Sequence, residues 1–167
     1  MKLFCLFIFL NAFHIGHLDI SKVQEDDKSF KFKLLTNYKN DFLAAKKSNK
    51  RLLIYFTGYG SITSRRMEEE SFTNSEIKLL LEKNYLCFSA YLDDPTELPI
   101  KEQYFSKALN KKVKTIGQKF QDFQLSKFKN DKQPHFLIID KNDKIIGQRI
   151  GYQNKNEFIL FLQNGTK

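Results

Sequence analysis

The sequence predicts an α/β fold: one mixed central sheet flanked by helices. Three features lead to it. Arg51-Leu52-Leu53-Ile54-Tyr55-Phe56-Thr57 is a continuous apolar run between polar residues, the pattern of a strand buried on both faces. Apolar and polar stretches alternate as strand, helix, strand, helix, strand, helix, strand, strand, helix, so that a βαβ half joins a ββα half. The 167 residues are 41% hydrophobic, with 17 Phe and no Trp, enough to close one core around such a sheet.

The first strand is read from Phe30-Lys31-Phe32-Lys33-Leu34, which alternates apolar and polar. Asn37 or Asn40 can cap a helix that runs to Lys47. After the central strand, Gly58-Tyr59-Gly60 forms a tight turn, and a helix runs from Ser61 to Glu70. Phe72-Thr73-Asn74 interrupts it, and Asn74 recaps a second helix over 75–83 with Ile77, Leu80 and Leu81 on one face. Tyr85 to Leu92 reads as another strand, closed by Asp93-Asp94-Pro95. A long polar segment follows to about Thr115, then a helix over Gly117–Phe128 with Phe120, Phe123 and Leu125 as apolar anchors. Phe136 to Asp140 is a strand, Lys141-Asn142-Asp143-Lys144 a hairpin turn, and Ile145–Ile150 the returning strand. Asn154 with Glu157 three residues on has capping-box spacing. The last helix buries Phe158, Phe161 and Leu162 and ends at Gly165.

Charge narrows the partners. The chain carries 28 Lys and Arg against 19 Asp and Glu, a net +9. The cations are scattered, and the aromatic residues between them fall at core spacing. A solvated lysine-rich surface is expected, not nucleic-acid binding. His and Cys are too few and too dispersed to form a metal site, and no cofactor is expected. Lys2 precedes a short apolar run ending near Phe13, which is the pattern of a cleaved export signal over residues 1–16; the alternative is an uncleaved membrane anchor, which would be the only membrane contact. Neither Ala12 nor Gly16 gives a clean cleavage site. Residues 17–29 read as a flexible leader and 30–165 as the domain. Cleavage would remove Lys2 and no acid, taking +9 to +8, and would remove Cys5. Cys87, inside an apolar strand, would then be the one remaining cysteine and is read as a buried structural thiol.

The stretch Phe56-Thr57-Gly58-Tyr59-Gly60-Ser61-Ile62-Thr63-Ser64-Arg65-Arg66-Met67-Glu68 resembles the active-site segment of thioredoxin-like proteins, in particular the C-terminal domain of thiol:disulfide interchange proteins. Tyr91-Leu92-Asp93-Asp94, Gln133-Pro134 and Ile150-Gly151-Tyr152 resemble that family's second central strand, its cis-proline site and its closing glycine turn. The likeness covers about residues 30–165 and implies a thioredoxin fold, with Pro95–Asn130 as an insertion before the cis-proline. The export signal read at the N-terminus sets the expected location as periplasmic or otherwise extracytoplasmic. The departure is at the centre: the two cysteines of the C-x-x-C motif fall on Ser61 and Ser64, and the usual tryptophan on Tyr59.

Serine has no redox couple, and its hydroxyl is far less acidic than a thiol. No dithiol oxidoreductase activity is therefore expected of this chain. Ser61 is read as an N-cap. A hydrolytic pair of Ser61 with His135 is the third alternative, with His135 otherwise a strand-edge side chain. Arg65-Arg66 reads as a solvated first turn, and Asp93-Asp94 as a strand-end turn. The resemblance leaves the peptide groove, with Tyr59, Gly60, Ser61, Ile62, Thr63, Ser64, Gln133 and Pro134 as its contact set. The expectation is an exported, redox-inactive protein that binds a protein or extended peptide. The alternative is an oxidoreductase whose cysteines were replaced by serine.

Overall fold

A computed structural model describes residues 29–166. The proposed export segment 1–16, and the leader apart from Ser29, lie outside the described residues. The elements are β1 (Lys33–Leu34), α1 (Tyr38–Lys47), β2 (Arg51–Thr57), α2 (Ile62–Glu70), α3 (Ser75–Asn84), β3 (Tyr85–Tyr91), β4 (Tyr104–Ser106), β5 (Lys111–Val113), α4 (Ile116–Phe128), β6 (His135–Ile139), β7 (Ile145–Ile150) and α5 (Lys155–Asn164). β1–β3–β2–β6–β7 form one sheet, while β4 and β5 form a separate hairpin. β1 and β2 run parallel to β3, and β6 runs antiparallel to both β2 and β7. The mixed sheet read from the sequence is the one observed.

β2 lies at the centre because both of its faces are apolar. Leu53 and Tyr55 enter a core with Met67 of α2, Ile77 and Leu81 of α3, Phe136, and Phe158, Phe161 and Leu162 of α5. Leu52, Ile54 and Phe56 point the other way, into a core with Ala45 of α1, Leu137, Ile139 and Phe128 of α4. The period of two along the strand thus divides the molecule into an α2/α3/α5 flank and an α1/α4 flank. Cys87, in β3, is buried in the first core, and burial pushes its thiol pKa up.

Helix starts follow the capping chemistry. Asn37, Ser61, Asn74, Thr115 and Asn154 each accept a backbone N–H three residues on. Asn154 and Glu157 complete the reciprocal capping box. Gly165 ends α5 for a reason other than a left-handed turn, since its φ is −68°. A Cβ there would sit 2.3 Å from Ile138 Cδ1 and 2.7 Å from the Tyr85 hydroxyl.

Three expectations are corrected. The first strand is only Lys33–Leu34. Phe30 and Phe32 do pack inward, against Phe72 and Tyr55, but Leu34 is 61% exposed and Leu35 takes the buried position. The polar stretch before Thr115 holds a short 3₁₀ turn and the β4–β5 hairpin, whose Ser106 hydroxyl bonds to Asp122 of α4. In α4 the buried residues are Gly117, Gln124 and Phe128. Phe120 and Phe123 pack at the edge of the second core, and Leu125 is half-buried.

Candidate functional site

Strand pairing gathers the site. Thr57 at the end of β2 is level with Tyr91 at the end of β3, and Phe56 is paired with His135 at the start of β6. The Gly58–Ser61 turn, the Asp93 corner and the Gln133–Pro134 loop therefore meet at one end of the sheet. The Gln133–Pro134 peptide bond is cis. Asp93 holds the turn: its carboxylate accepts from Tyr59 N at 2.8 Å and from Gly60 N at 2.9 Å. Gly58 permits the close approach of the other two elements. A Cβ on it would lie 2.8 Å from Gln133 Oε1 and 3.0 Å from Asp93 Oδ2. The sequence reading took Asp93 only as a strand end; its role as a clamp depends on the chain returning beside the turn.

Ser61 is buried at the mouth of α2, and its Oγ accepts from Ser64 N at 3.3 Å. Its backbone N–H donates to Gly58 O at 3.2 Å. Ser64 is fully buried one turn further in, and its Oγ has no hydrogen-bond partner. The Tyr55 hydroxyl reaches Ser64 O at 3.4 Å and donates to Glu68 Oε1 at 3.2 Å. Arg65 is not simply solvated, which corrects the reading of Arg65-Arg66 as a pair. Its guanidinium donates to Glu68 Oε1 at 2.6 Å and to Thr57 Oγ1 at 3.1 Å, and its buried Nε has no partner. Burial raises the Glu68 carboxyl above its ordinary pKa, partly opposed by Arg65 and the Tyr55 hydrogen bond. Arg66 does face solvent, paired with Glu70 at 2.8 Å and lying over the Tyr152 ring.

The eight residues expected to contact a partner converge here, but they differ in access. Tyr59 and Ile62 are 56% and 84% exposed, and Gly60 and Thr63 are also open. Tyr59 stacks on Tyr91 with ring centroids 4.2 Å apart. Gln133 is half-buried, and its backbone takes part in no hydrogen bond among the described residues. Ser61, Ser64 and Pro134 are buried, so they shape the surface from beneath.

His135 is not a strand-edge side chain. It is fully buried, with Nδ1 2.9 Å from Gln124 Nε2. Because that amide also donates to Lys132 O at 2.9 Å, the nitrogen end of Gln124 faces the ring, and the imidazole proton resides on Nε2. Burial lowers the His135 pKa to about 4, so the ring is neutral at pH 7. Its register partner Phe56 faces the α1/α4 flank, whereas Ser61 opens α2 on the opposite flank. The Ser61–His135 pair needed for hydrolysis is not assembled.

No group of three or more His, Cys, Asp or Glu that could hold a metal occurs among the described residues. Among the same residues, no helix is long and apolar enough to cross a membrane.

The family model for the thioredoxin-like domain matches residues 38–166. No curated protein matches the sequence. Among solved structures, the DsbH oxidoreductase aligns with a TM-score of 0.59 at 14% identity, over 83% of this chain and 87% of that one. A thioredoxin from Thermus thermophilus aligns at 0.56 and 16% identity, over 81% and 86%. The oxidised C-terminal domain of DsbD from Neisseria meningitidis aligns at 0.54 and 11% identity, over 81% and 99%. At these identities the likeness is one of fold, and that fold is the thioredoxin fold.

Proposed function

From the premise that the chain belongs to the thioredoxin-like family, we propose that it is an exported, redox-inactive member that holds an extended segment of a partner protein in a thiol or maturation pathway. The observation that carries this reading is the state of the α2 start. Both motif positions hold serine, Ser61 Oγ is engaged as the helix cap, and yet Tyr59 and Ile62 stand exposed beside the half-buried Gln133. A capping hydroxyl with no base beside it is neither a thiolate equivalent nor an activated nucleophile. What remains is a shaped edge. An extended segment can pair with the backbone at Gln133, and the two exposed apolar side chains supply contact area.

A second reading, that the chain is a thiol:disulfide oxidoreductase whose cysteines were replaced, is favoured by Ser64. A buried hydroxyl without a partner sits where a thiol, with its weaker hydrogen-bonding demand, would be at ease. Reduction of insulin disulfides by the chain and by its Ser61→Cys/Ser64→Cys variant tests both. The expected result is no turnover by the chain and turnover by the variant, with the segment-binding edge supplying the substrate. An inert variant would mean that the edge no longer accepts a polypeptide, and turnover by the unmodified chain would overturn redox inactivity.

A further inference from the structure

Tyr91 joins the site to a second concavity. Its ring stacks on Tyr59, with centroids 4.2 Å apart, and it also lines a pocket of about 280 Å³ between β1, the loop after β3 and the start of α4. The rest of the wall is largely apolar, from Leu34, Leu35, Leu98, Pro99, Ile116 and Phe120. A volume of this size takes one large side chain and is small for a cofactor. The wall is fixed by the fold. Leu98 N donates to Lys114 O at 2.7 Å, Ile116 N to Thr96 O at 2.9 Å and Gly117 N to Asp94 O at 3.0 Å, which tie the loop to the start of α4. Leu34 lines the pocket while 61% exposed, so apolar surface is left open to water. The pocket is also acidic. Asp94, Glu97 and Glu102 line it against one cation, Lys119, whose ammonium lies 3.9 Å from Glu102. Asp94 and Glu97 form no ion pair among the described residues. In a chain of net +9, three carboxylates against one ammonium are a local excess of negative charge. An open apolar concavity marks an interaction site, and the charge around it selects the charge of the partner.

We infer that this pocket receives a large apolar side chain of the bound partner segment, with a lysine or arginine two residues away meeting Glu97 and Glu102. The inference rests on the proposed segment binding and names its specificity. Gln133 and Asp93 both lie against Gly58, and Asp93 holds the Tyr59 backbone. A segment paired at Gln133 that continues across Tyr59 therefore arrives at Tyr91 and the pocket. Side chains two apart in an extended segment share a face, so the apolar anchor and the cation approach the same surface. The leucines and Phe120 favour the anchor by burial, and the carboxylates favour the cation and disfavour an acid.

The test uses the full chain and fluorescein-labelled, end-blocked octapeptides of polar uncharged residues, with binding read by fluorescence anisotropy. Each position in turn is Phe, Leu or Ala, and the position two away on either side is Lys, norleucine or Glu. The expected result is one position at which Phe or Leu binds about tenfold more tightly than Ala, the scale of burying a large apolar side chain. With that anchor in place, Lys should bind about threefold more tightly than norleucine, as for exposed charge pairs, and Glu more weakly than both. Leu34→Asp should remove most of the anchor preference, and Glu97→Gln with Glu102→Gln should remove the lysine preference while leaving the anchor. All three residues are exposed, so the variants are expected to keep the parent melting temperature. Leu79→Asp makes the same change at an exposed leucine of α3, and should leave both preferences unchanged. Peptides that bind with no apolar preference, or with one that Leu34→Asp retains, would overturn the inference and leave segment binding intact. A lysine preference that survives Glu97→Gln with Glu102→Gln would overturn the assignment of the cation to these carboxylates. If no peptide binds at all, the proposed function falls and this inference falls with it.

Discussion

The two flanks of the sheet both hold titratable side chains away from water, and they do so with opposite consequences. On the α2 flank, Glu68 lies beside Arg65 and Tyr55, and burial makes its ionisation more costly than in the unfolded chain. On the α4 flank, His135 stays neutral against Gln124, and burial makes its protonation costly. Acid therefore relaxes the first flank and strains the second. The difference follows from where the chain supplies a counter-charge: Arg65 lies one turn from Glu68 on the same helix, whereas His135 faces an amide and the Phe56 ring.

The largest expected effect is on the α4 flank. The His135 pKa falls from its ordinary 6.5 to about 4 on folding, so between these values the unfolded state binds the extra proton. Stability from this group is complete above pH 6.5 and is lost as pH falls toward 4. The loss amounts to roughly 3 kcal/mol at the lower limit. Glu68 works in the reverse sense, because its raised pKa means that the folded state takes up a proton first as pH falls. Urea unfolding at pH 7 and pH 4 should show the parent losing stability across that interval and His135→Phe losing much less of it. Equal losses would place the acid sensitivity elsewhere.

The next effect isolates the turn between the flanks. Asp93→Ala removes the acceptor for two backbone N–H groups, Tyr59 N and Gly60 N. The cost should be about 2 kcal/mol, less than for buried bonds because water reaches the freed groups. Asp93→Asn keeps one acceptor oxygen and should recover about half of that. If Asp93→Ala leaves the urea midpoint unchanged, the clamp does not hold the turn.

The central strand and the caps were legible in the sequence because each depends on neighbours in the chain. The Arg51–Thr57 run, Asn74 and the Asn154–Glu157 box are local patterns with local causes. The hairpin Tyr104–Ser106 with Lys111–Val113 was not: its strands have three residues each, mostly exposed, and are held by contact with Asp122 on α4. Gln124 reads as a polar surface position in a helix, and only the β6 strand packed beneath it makes it a buried partner of His135. Of the site, Tyr59 and Ile62 could be read from the turn itself. The burial of Pro134 and the access to the Gln133 backbone depend on which strands lie alongside.

The smallest effects bear on the serines themselves, two identical residues three apart with opposite expected signs. Ser61 caps α2, so Ser61→Ala should destabilise the chain by about 1 kcal/mol. Ser64 carries a buried hydroxyl with no partner inside the helix. Ser64→Ala removes that desolvated group and places the best helix former in its stead, for a gain of about 1 kcal/mol. Ser64→Cys should also be tolerated, since a thiol suits an apolar pocket. Urea midpoints of the single variants read the signs directly. Opposite signs mean that one serine has taken up a structural role at the helix start while the other occupies a pocket better suited to sulfur. If both substitutions destabilise, the Ser64 hydroxyl has a partner, and the pocket is adapted to serine.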